Sequence, residues 1–320
     1  MTAYLLFEDM RRGTLKLDDH VVVSARAASL PGARMFLREG ESVSVENLLK
    51  GMLVQSGNDA AYALIEHAGP GPESFVARMN ETAKRLELPD THFANATGLQ
   101  NSAHYSSARD LARLAIALRR DFPEFLHLFA LRDFTWADIH QPNRNLLLRD
   151  PGVDGLKTGH TSAAGFCMIA SAERSGMQLI AVLLGAESEQ QRARETRALL
   201  DYAIRHFETR RLYSARAGIL SLPVRGGVRD HAPLGVNEDL YLTLPRGGFE
   251  QLRVRSRLPA ARTAPVTSGE AIGELNIHYQ EQLLRSVPLV AMETVGESGF
   301  LKRTIAHVRG WFGVEALAAP

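Results

Sequence analysis

Lysine is scarce in this chain of 320 residues, with five in all at positions 16, 50, 84, 157 and 302. Cysteine is scarcer still. Cys167 stands alone, which excludes an internal disulfide framework and a cysteine-based zinc site but leaves the redox compartment open. It lies in the apolar run from Gly165 to Ala170, so a buried, inert thiol is expected. No apolar stretch reaches the ~18 residues that a spanning helix needs. An excess of either charge is also lacking, since the formal net charge is only +1. No Arg/Lys cluster is interleaved with aromatics, so nucleic acid is not expected as a partner. His104, His140 and the acidic residues show no metal-ligand spacing and are read as structural or solvated, with no metal or cofactor expected.

What remains is ordinary globular composition, 45% hydrophobic and 23% charged. A chain this long has room for one large core and one smaller one. Residues 2–12 read as a helix with a large apolar face (Ala3, Leu5, Leu6, Met10), stopped at Gly13. The run Val21-Val22-Val23 is a short strand candidate. Ser44 makes an N-cap for a helix over 45–54, with Glu46 near its positive end. The chain breaks at Ser56-Gly57-Asn58 and resumes as a helix over 59–68, closed by Gly69-Pro70-Gly71-Pro72. Helices are further expected over 73–86 and from Ser107 to Arg119, where Leu111, Leu114, Ala115 and Leu118 recur at 3.6-residue spacing. Strands over 156–158, 165–172 and 177–185 precede a helix over 190–208, whose apolar side is Leu199, Leu200, Ala203, Ile204 and Phe207. Mixed helices and antiparallel-looking strands give an α+β domain.

After residue 213 the period changes. Leu252, Val254, Ser256 and Leu258 alternate with Arg253, Arg255 and Arg257, which is the pattern of a half-buried strand. Residues 219–224, 240–244, 271–278 and 287–292 are also strand-like, with Pro and Gly between them, as in a small all-β domain. The last stretch, 299–312, is expected to be an amphipathic helix. Leu301, Ile305, Val308, Trp311 and Phe312 gather on one side, with Lys302, Arg303, His307 and Arg309 on the other. Such a helix lies in an anionic membrane interface.

Two short motifs carry the chemistry. Ser56-Gly57-Asn58 opens a break between two helices. Lys157-Thr158-Gly159-His160-Thr161 follows 101 residues later and enters a strand that precedes an apolar run. Each alone is a weak pattern, but their order, spacing and local context together are specific. Leu53-Val54-Gln55 runs directly into the first motif, and Val153-Asp154-Gly155-Leu156 into the second. Further stretches of the same kind are Thr97-Gly98-Leu99, Tyr105-Ser106-Ser107-Ala108-Arg109-Asp110 and Asn143-Arg144-Asn145-Leu146-Leu147. On these residues the chain resembles, over essentially its whole length, the low-molecular-mass penicillin-binding proteins, specifically the serine-type D-alanyl-D-alanine carboxypeptidases.

The resemblance implies an α+β fold of the penicillin-binding/β-lactamase transpeptidase type, incomplete at its N-terminus. A catalytic domain over 1–210 is followed by a β-rich domain over 211–295 and a membrane-associating helix over 296–314. It implies a substrate, the peptidoglycan stem peptide ending in D-Ala-D-Ala, and β-lactams as inhibitors of the complete enzyme. It implies a location on the periplasmic face of the bacterial inner membrane. Ser56 then relays a proton to the leaving D-alanine, and Asn58 holds the substrate amide. Lys157 supplies a fixed positive charge for the substrate carboxylate and supports the relay. Thr158 bonds the terminal carboxylate, His160 after Gly159 offers an oxyanion-hole N–H, and Arg192 lies near the carboxylate pocket. Arg192 also reads as a solvated charge at the start of a helix.

The third motif of such enzymes, Ser-x-x-Lys, is absent. The residues three before the five lysines are Gly13, Asn47, Glu81, Asp154 and Gly299. Ser24, Ser29, Ser42 and Ser44 have no lysine three residues on and do not substitute. In the family that motif runs into a sequence like Met1-Thr2-Ala3-Tyr4, so the nucleophile and its base are expected just ahead of Met1. No export signal is read in residues 1–12. Without nucleophile and base, these 320 residues are expected to be nearly inactive. They are also expected to unfold easily, because unfilled packing costs about several kcal/mol per cavity. Two alternatives stand beside the enzyme: a non-catalytic peptidoglycan-binding relic, and a class A β-lactamase. The latter is disfavoured because no Glu-x-x-Leu-Asn lies between the motifs, and because a penicillinase needs neither the β-rich domain nor the terminal helix.

Overall fold

The computed structural model describes residues 1–299. They divide into two compact units, Met1–Arg205 and the residues from His206 onward. Of the helix expected over 299–312, residues 300–312 lie outside the described residues.

The first unit is α+β. Its elements in chain order are α1 (Thr2–Arg11), β1 (His20–Val22), α2 (Ala25–Ala28), β2 (Ser42–Ser44), α3 (Val45–Val54), α4 (Asn58–His67), α5 (Pro72–Arg85) and α6 (Ala108–Asp121). The hairpin β3 (Asp133–Trp136) and β4 (Ile139–Pro142) follows, then β5 (Val153–Thr161), β6 (Gly165–Arg174), β7 (Met177–Ala186) and α7 (Glu189–His206). Local chemistry accounts for the starts of the expected helices. The Ser44 hydroxyl accepts from Asn47 N at 3.3 Å to cap α3, and Ser107 accepts from Asp110 N at 3.2 Å to cap α6. Pro72 opens α5, where its missing N–H costs nothing. The pair α3–α4 forms the centre of the core, with Leu48, Leu49 and Leu64 fully buried and Ile65 nearly so. Leu5, Leu6 and Phe7 of α1 join it, Phe7 stacking on Phe125 with ring centroids 4.5 Å apart.

The three-stranded antiparallel sheet β5–β6–β7 packs beside these helices, with Lys157 opposite Ile169 and Gly159 opposite Cys167. β5 is tied down at its start. Arg119 of α6 donates to both Asp154 oxygens at 3.0 and 2.9 Å, and Asn145 Nδ2 donates to the Gly155 carbonyl at 3.0 Å. These bonds fix the strand that carries the second motif.

The second unit is all-β. β8 (Phe207–Tyr213) pairs with β11 (Leu240–Pro245). A six-stranded sheet runs in the order β12–β14–β15–β10–β9–β13. Its strands are β9 (Leu220–Arg225), β10 (His231–Gly235), β12 (Leu252–Arg257), β13 (Arg262–Thr263), β14 (Ala271–Tyr279) and β15 (Gln282–Ala291). Leu275, Ile277 and Leu289 form one buried cluster, and Leu222, Leu234 and Val266 belong to another.

Three expectations are corrected. β12 is an edge strand: Leu252 and Leu258 pack against a buried cluster, but Val254 and Ser256 between them are exposed, so the face is less buried than its alternation implies. Arginine along an edge keeps it from pairing with other chains, which accounts for the same sequence pattern. On α7, Leu200 is buried but Leu199 is exposed, because one residue step turns a helical side chain through ~100°. Cys167 is half-buried rather than enclosed, its thiol directed at the Ala164 carbonyl where β6 leaves its turn.

Candidate active site

The two motifs meet in space. Ser56 is the residue between α3 and α4, and its φ of 61° places it in the left-handed region, where a residue with a side chain is strained. Its neighbours hold it there. Gly57 N donates to Gly51 O at 3.0 Å, and Asn58 N donates to Ala33 O at 2.8 Å. A Cβ at Gly57 would lie 2.9 Å from Asp59 Oδ1 and 3.1 Å from Met35 N, so only glycine fits. Asp59 is fully buried, and its carboxylate accepts from Met35 N at 2.8 Å, Leu37 N at 3.1 Å and Ala60 N at 2.9 Å. That carboxylate fastens the loop ahead of α3 to the start of α4, which sets the turn that presents Ser56. The Asn58 side chain is 8% exposed and donates to Pro31 O at 2.7 Å.

Lys157 reaches across from β5. Its Nζ donates to Ser56 Oγ and, at 2.7 Å, to its neighbour's carbonyl, Thr158 O. Burial lowers the Lys157 pKa from 10.5 to about 8, and the positive charges of Arg144 and Arg192 lower it in the same direction. Thr158 is buried next to it, while Gly159 and His160 are exposed. The His160 ring lies over Phe166 of β6, with centroids 4.0 Å apart.

Arg192 is not a solvated charge. It is 1% exposed, with Nη2 donating to Arg144 O at 2.8 Å, Glu189 at 3.6 Å, and its guanidinium carbon 5.8 Å from the Phe166 ring centre. Its Nε has no partner, and burial lowers its pKa. A buried guanidinium with a free donor suits an anion that is itself partly shielded from water. Behind Ser56 and Lys157 lies a cavity of about 240 Å³ with mainly apolar walls, among them Met52, Leu53, Phe93, Leu114 and Leu156.

The arrangement offers a hydroxyl on a half-buried lysine, an amide side chain two residues on, and a group of three cations, Lys157, Arg144 and Arg192. Residues 1–188 match the family described as D-alanyl-D-alanine carboxypeptidase, and residues 207–297 match the penicillin-binding protein 5 C-terminal domain. The D-alanyl-D-alanine carboxypeptidase DacC of Escherichia coli is 37% identical over 326 residues, covering 98% of this chain and 82% of that protein. DacD of Salmonella typhimurium is 36% identical, covering 95% of this chain and 80% of its own length. Penicillin-binding protein 5 of Haemophilus influenzae superposes with a TM-score of 0.81 at 35% identity, over 92% of this chain and 88% of that one. The chain belongs to the serine-type D-alanyl-D-alanine carboxypeptidases. Its first unit is accordingly a penicillin-binding transpeptidase fold, and an all-β domain of the penicillin-binding protein 5 kind follows it.

In this carboxypeptidase the residues expected from sequence, Ser56, Asn58, Lys157, Thr158, Gly159, His160 and Arg192, fall on the α3–α4 junction, β5 and the first turn of α7. Direct contact is shown between Lys157 and Ser56, while Arg192 acts on Lys157 through its charge. Two participants were not singled out from sequence. Asp59 reads as an ordinary helix-start acid, and only its position on the buried side of α4 signals a structural carboxylate. Arg144 lies in the run Asn143-Arg144-Asn145, and nothing local in that run signals that its charge reaches Lys157.

Proposed function

We propose that this chain binds the D-Ala-D-Ala end of a peptidoglycan stem peptide and supplies the proton-relay half of a carboxypeptidase site. The terminal carboxylate rests on Thr158 and Arg192, with the Lys157 charge behind it. Ser56, bonded to Lys157, passes a proton to the departing amine, and Asn58 holds the scissile residue's amide. The reaction adds water across the last peptide bond and gives a shortened peptide carboxylate and D-alanine. The single observation that carries this reading is the contact between Lys157 and Ser56 across 101 residues of sequence. Penicillin-binding protein D2 of Listeria monocytogenes, 30–31% identical to this chain, has been solved with ampicillin and with cefotaxime bound, and β-lactams are proposed as inhibitors here too.

Hydrolysis through an acyl-enzyme also needs an acyl-accepting serine beside a base. Residues 1–320 contain no Ser-x-x-Lys, so by themselves they are proposed to bind but not to turn over. Release of D-alanine from a D-Ala-D-Ala peptide tests this: none is expected from residues 1–320. Release is expected once a helix segment carrying Ser-x-x-Lys is joined ahead of Met1. Turnover by residues 1–320 alone overturns the assignment of roles. Failure of the extended chain to release D-alanine, with binding retained, favours a non-catalytic peptidoglycan-binding protein.

The boundaries 1–210, 211–295 and 296–314 are proposed for the catalytic domain, the β-rich domain and a membrane-associating helix. Residues 299–312 combine apolar and basic groups at helical spacing, which supports contact with an anionic membrane on its periplasmic side. Co-sedimentation with phosphatidylglycerol vesicles, but not phosphatidylcholine vesicles, is the expected outcome.

A further inference from the structure

Next to the Ser56–Lys157 site, within the first unit, lies a second cavity of about 340 Å³. Its walls include Gln55, Arg132, Arg144, Leu146, Arg149 and Glu189. Three guanidiniums thus face one carboxylate, and that carboxylate is already engaged. Glu189 lies 3.6 Å from Arg192, and Asp150, the acid next to Arg149, is held by Arg197 at 2.6 and 3.1 Å. Arg144 donates from Nε to Gln55 Oε1 at 2.8 Å, a neutral group. Among the described residues no carboxylate lies within ion-pair distance of Arg132, Arg144 or Arg149. Leu146, 45% exposed, supplies an apolar strip on the same wall.

The position of this groove relative to the proposed substrate is set by shared residues. Gln55 directly precedes Ser56, and the Arg144 carbonyl holds Arg192, the proposed carboxylate anchor. Asn58, proposed to hold the amide on the acyl side, is not among its walls. Through Arg144, which lines the groove and whose carbonyl holds Arg192, the groove adjoins the proposed carboxylate anchor. Leu146 can take an aliphatic stem of two or more methylenes while Arg132, Arg144 and Arg149 take an anion at its end.

We infer that this groove is a subsite for the side chain of the released residue, and that it selects D-residues with an aliphatic side chain ending in a carboxylate. The inference rests on the proposed placement of the terminal carboxylate at Thr158 and Arg192, and it extends the substrate class from D-Ala-D-Ala to D-Ala-D-X with acidic X.

Equilibrium binding to residues 1–320 tests it without need of turnover. N-acetylated peptides ending in D-Ala-D-Ala, D-Ala-D-Glu and D-Ala-D-Gln are titrated by NMR at low salt. Exposed charge pairs lead to an expected affinity about three- to fivefold tighter for the D-Glu peptide than for its neutral D-Gln isostere. The preference shrinks as salt is raised. Arg132→Ser with Arg149→Ser, both exposed positions, removes the preference while the affinity for D-Ala-D-Ala stays unchanged. Arg132→Lys with Arg149→Lys retains most of it, which separates charge from a change in folding. Equal binding of the D-Glu and D-Gln peptides, or a preference that survives the double serine substitution, overturns the inference. The underlying reading fails differently: the D-Ala-D-Ala peptide then binds no better than its L-Ala-L-Ala counterpart, and the inference falls with it.

Discussion

The ordinary ammonium of a lysine stays charged to pH 10.5, but burial, with help from Arg144 and Arg192, brings Lys157 down to about 8. A base whose pKa is lowered in the folded state is charged below that value and neutral above it. If Lys157 supplies charge to the substrate carboxylate, affinity for a D-Ala-D-Ala peptide holds up to pH 7 and falls as pH rises through about 8. Calorimetric titration between pH 6 and 9 checks this, and Lys157→Ala is expected to bind weakly with the pH step gone. Asp59 gives a stability prediction. Replacing it with alanine strands three buried N–H donors, each worth ~1–3 kcal/mol when unsatisfied, and lowers stability by several kcal/mol in urea unfolding. Lys157 was legible in the sequence because the Lys-Thr-Gly run has a strict order and context. Asp59 was not, since a carboxylate at a helix start more often faces water, and only the fold reveals the three backbone donors around it.

At the scale of elements, α1 contributes Leu5, Leu6 and Phe7 to the same core as α3 and α4. Leu6→Ala is expected to cost about 2–5 kcal/mol, because the fully buried site leaves a cavity that its neighbours only partly fill. Ser107→Ala removes one N-terminal bond from α6 and costs about 1 kcal/mol, measurable as a small drop in Tm. Helices α3 to α6 were readable in advance, since serine caps, Gly-Pro punctuation and 3.6-residue spacing all point to the same boundaries. The β3–β4 hairpin was not anticipated. Its turn is Ala137-Asp138, both with positive φ, where glycine or asparagine would ordinarily announce such a turn. β12 was recognised as a strand, but only Leu252 and Leu258 at its ends pack inward, because period-2 alternation fits a charged edge as well as a half-buried face.

At the scale of the molecule, the second unit has its own six-stranded sheet and its own buried clusters. Residues 206–298 expressed alone are expected to unfold cooperatively with a β-type circular dichroism spectrum, and a featureless melt is the contrary result. The first unit gathers the Ser56 turn, the Lys157 strand and Arg192 from segments far apart in sequence. That convergence is what makes the catalytic reading testable by acylation. The most direct measurement is covalent labelling by a fluorescent penicillin, followed by mapping of the modified residue. Residues 1–320 are predicted to remain unlabelled. The same chain carrying a Ser-x-x-Lys helix segment ahead of Met1 is predicted to be labelled on that serine, and much more slowly after Ser56→Ala or Lys157→Ala. Labelling of any serine within residues 1–320, or full-rate labelling without Lys157, would contradict the account.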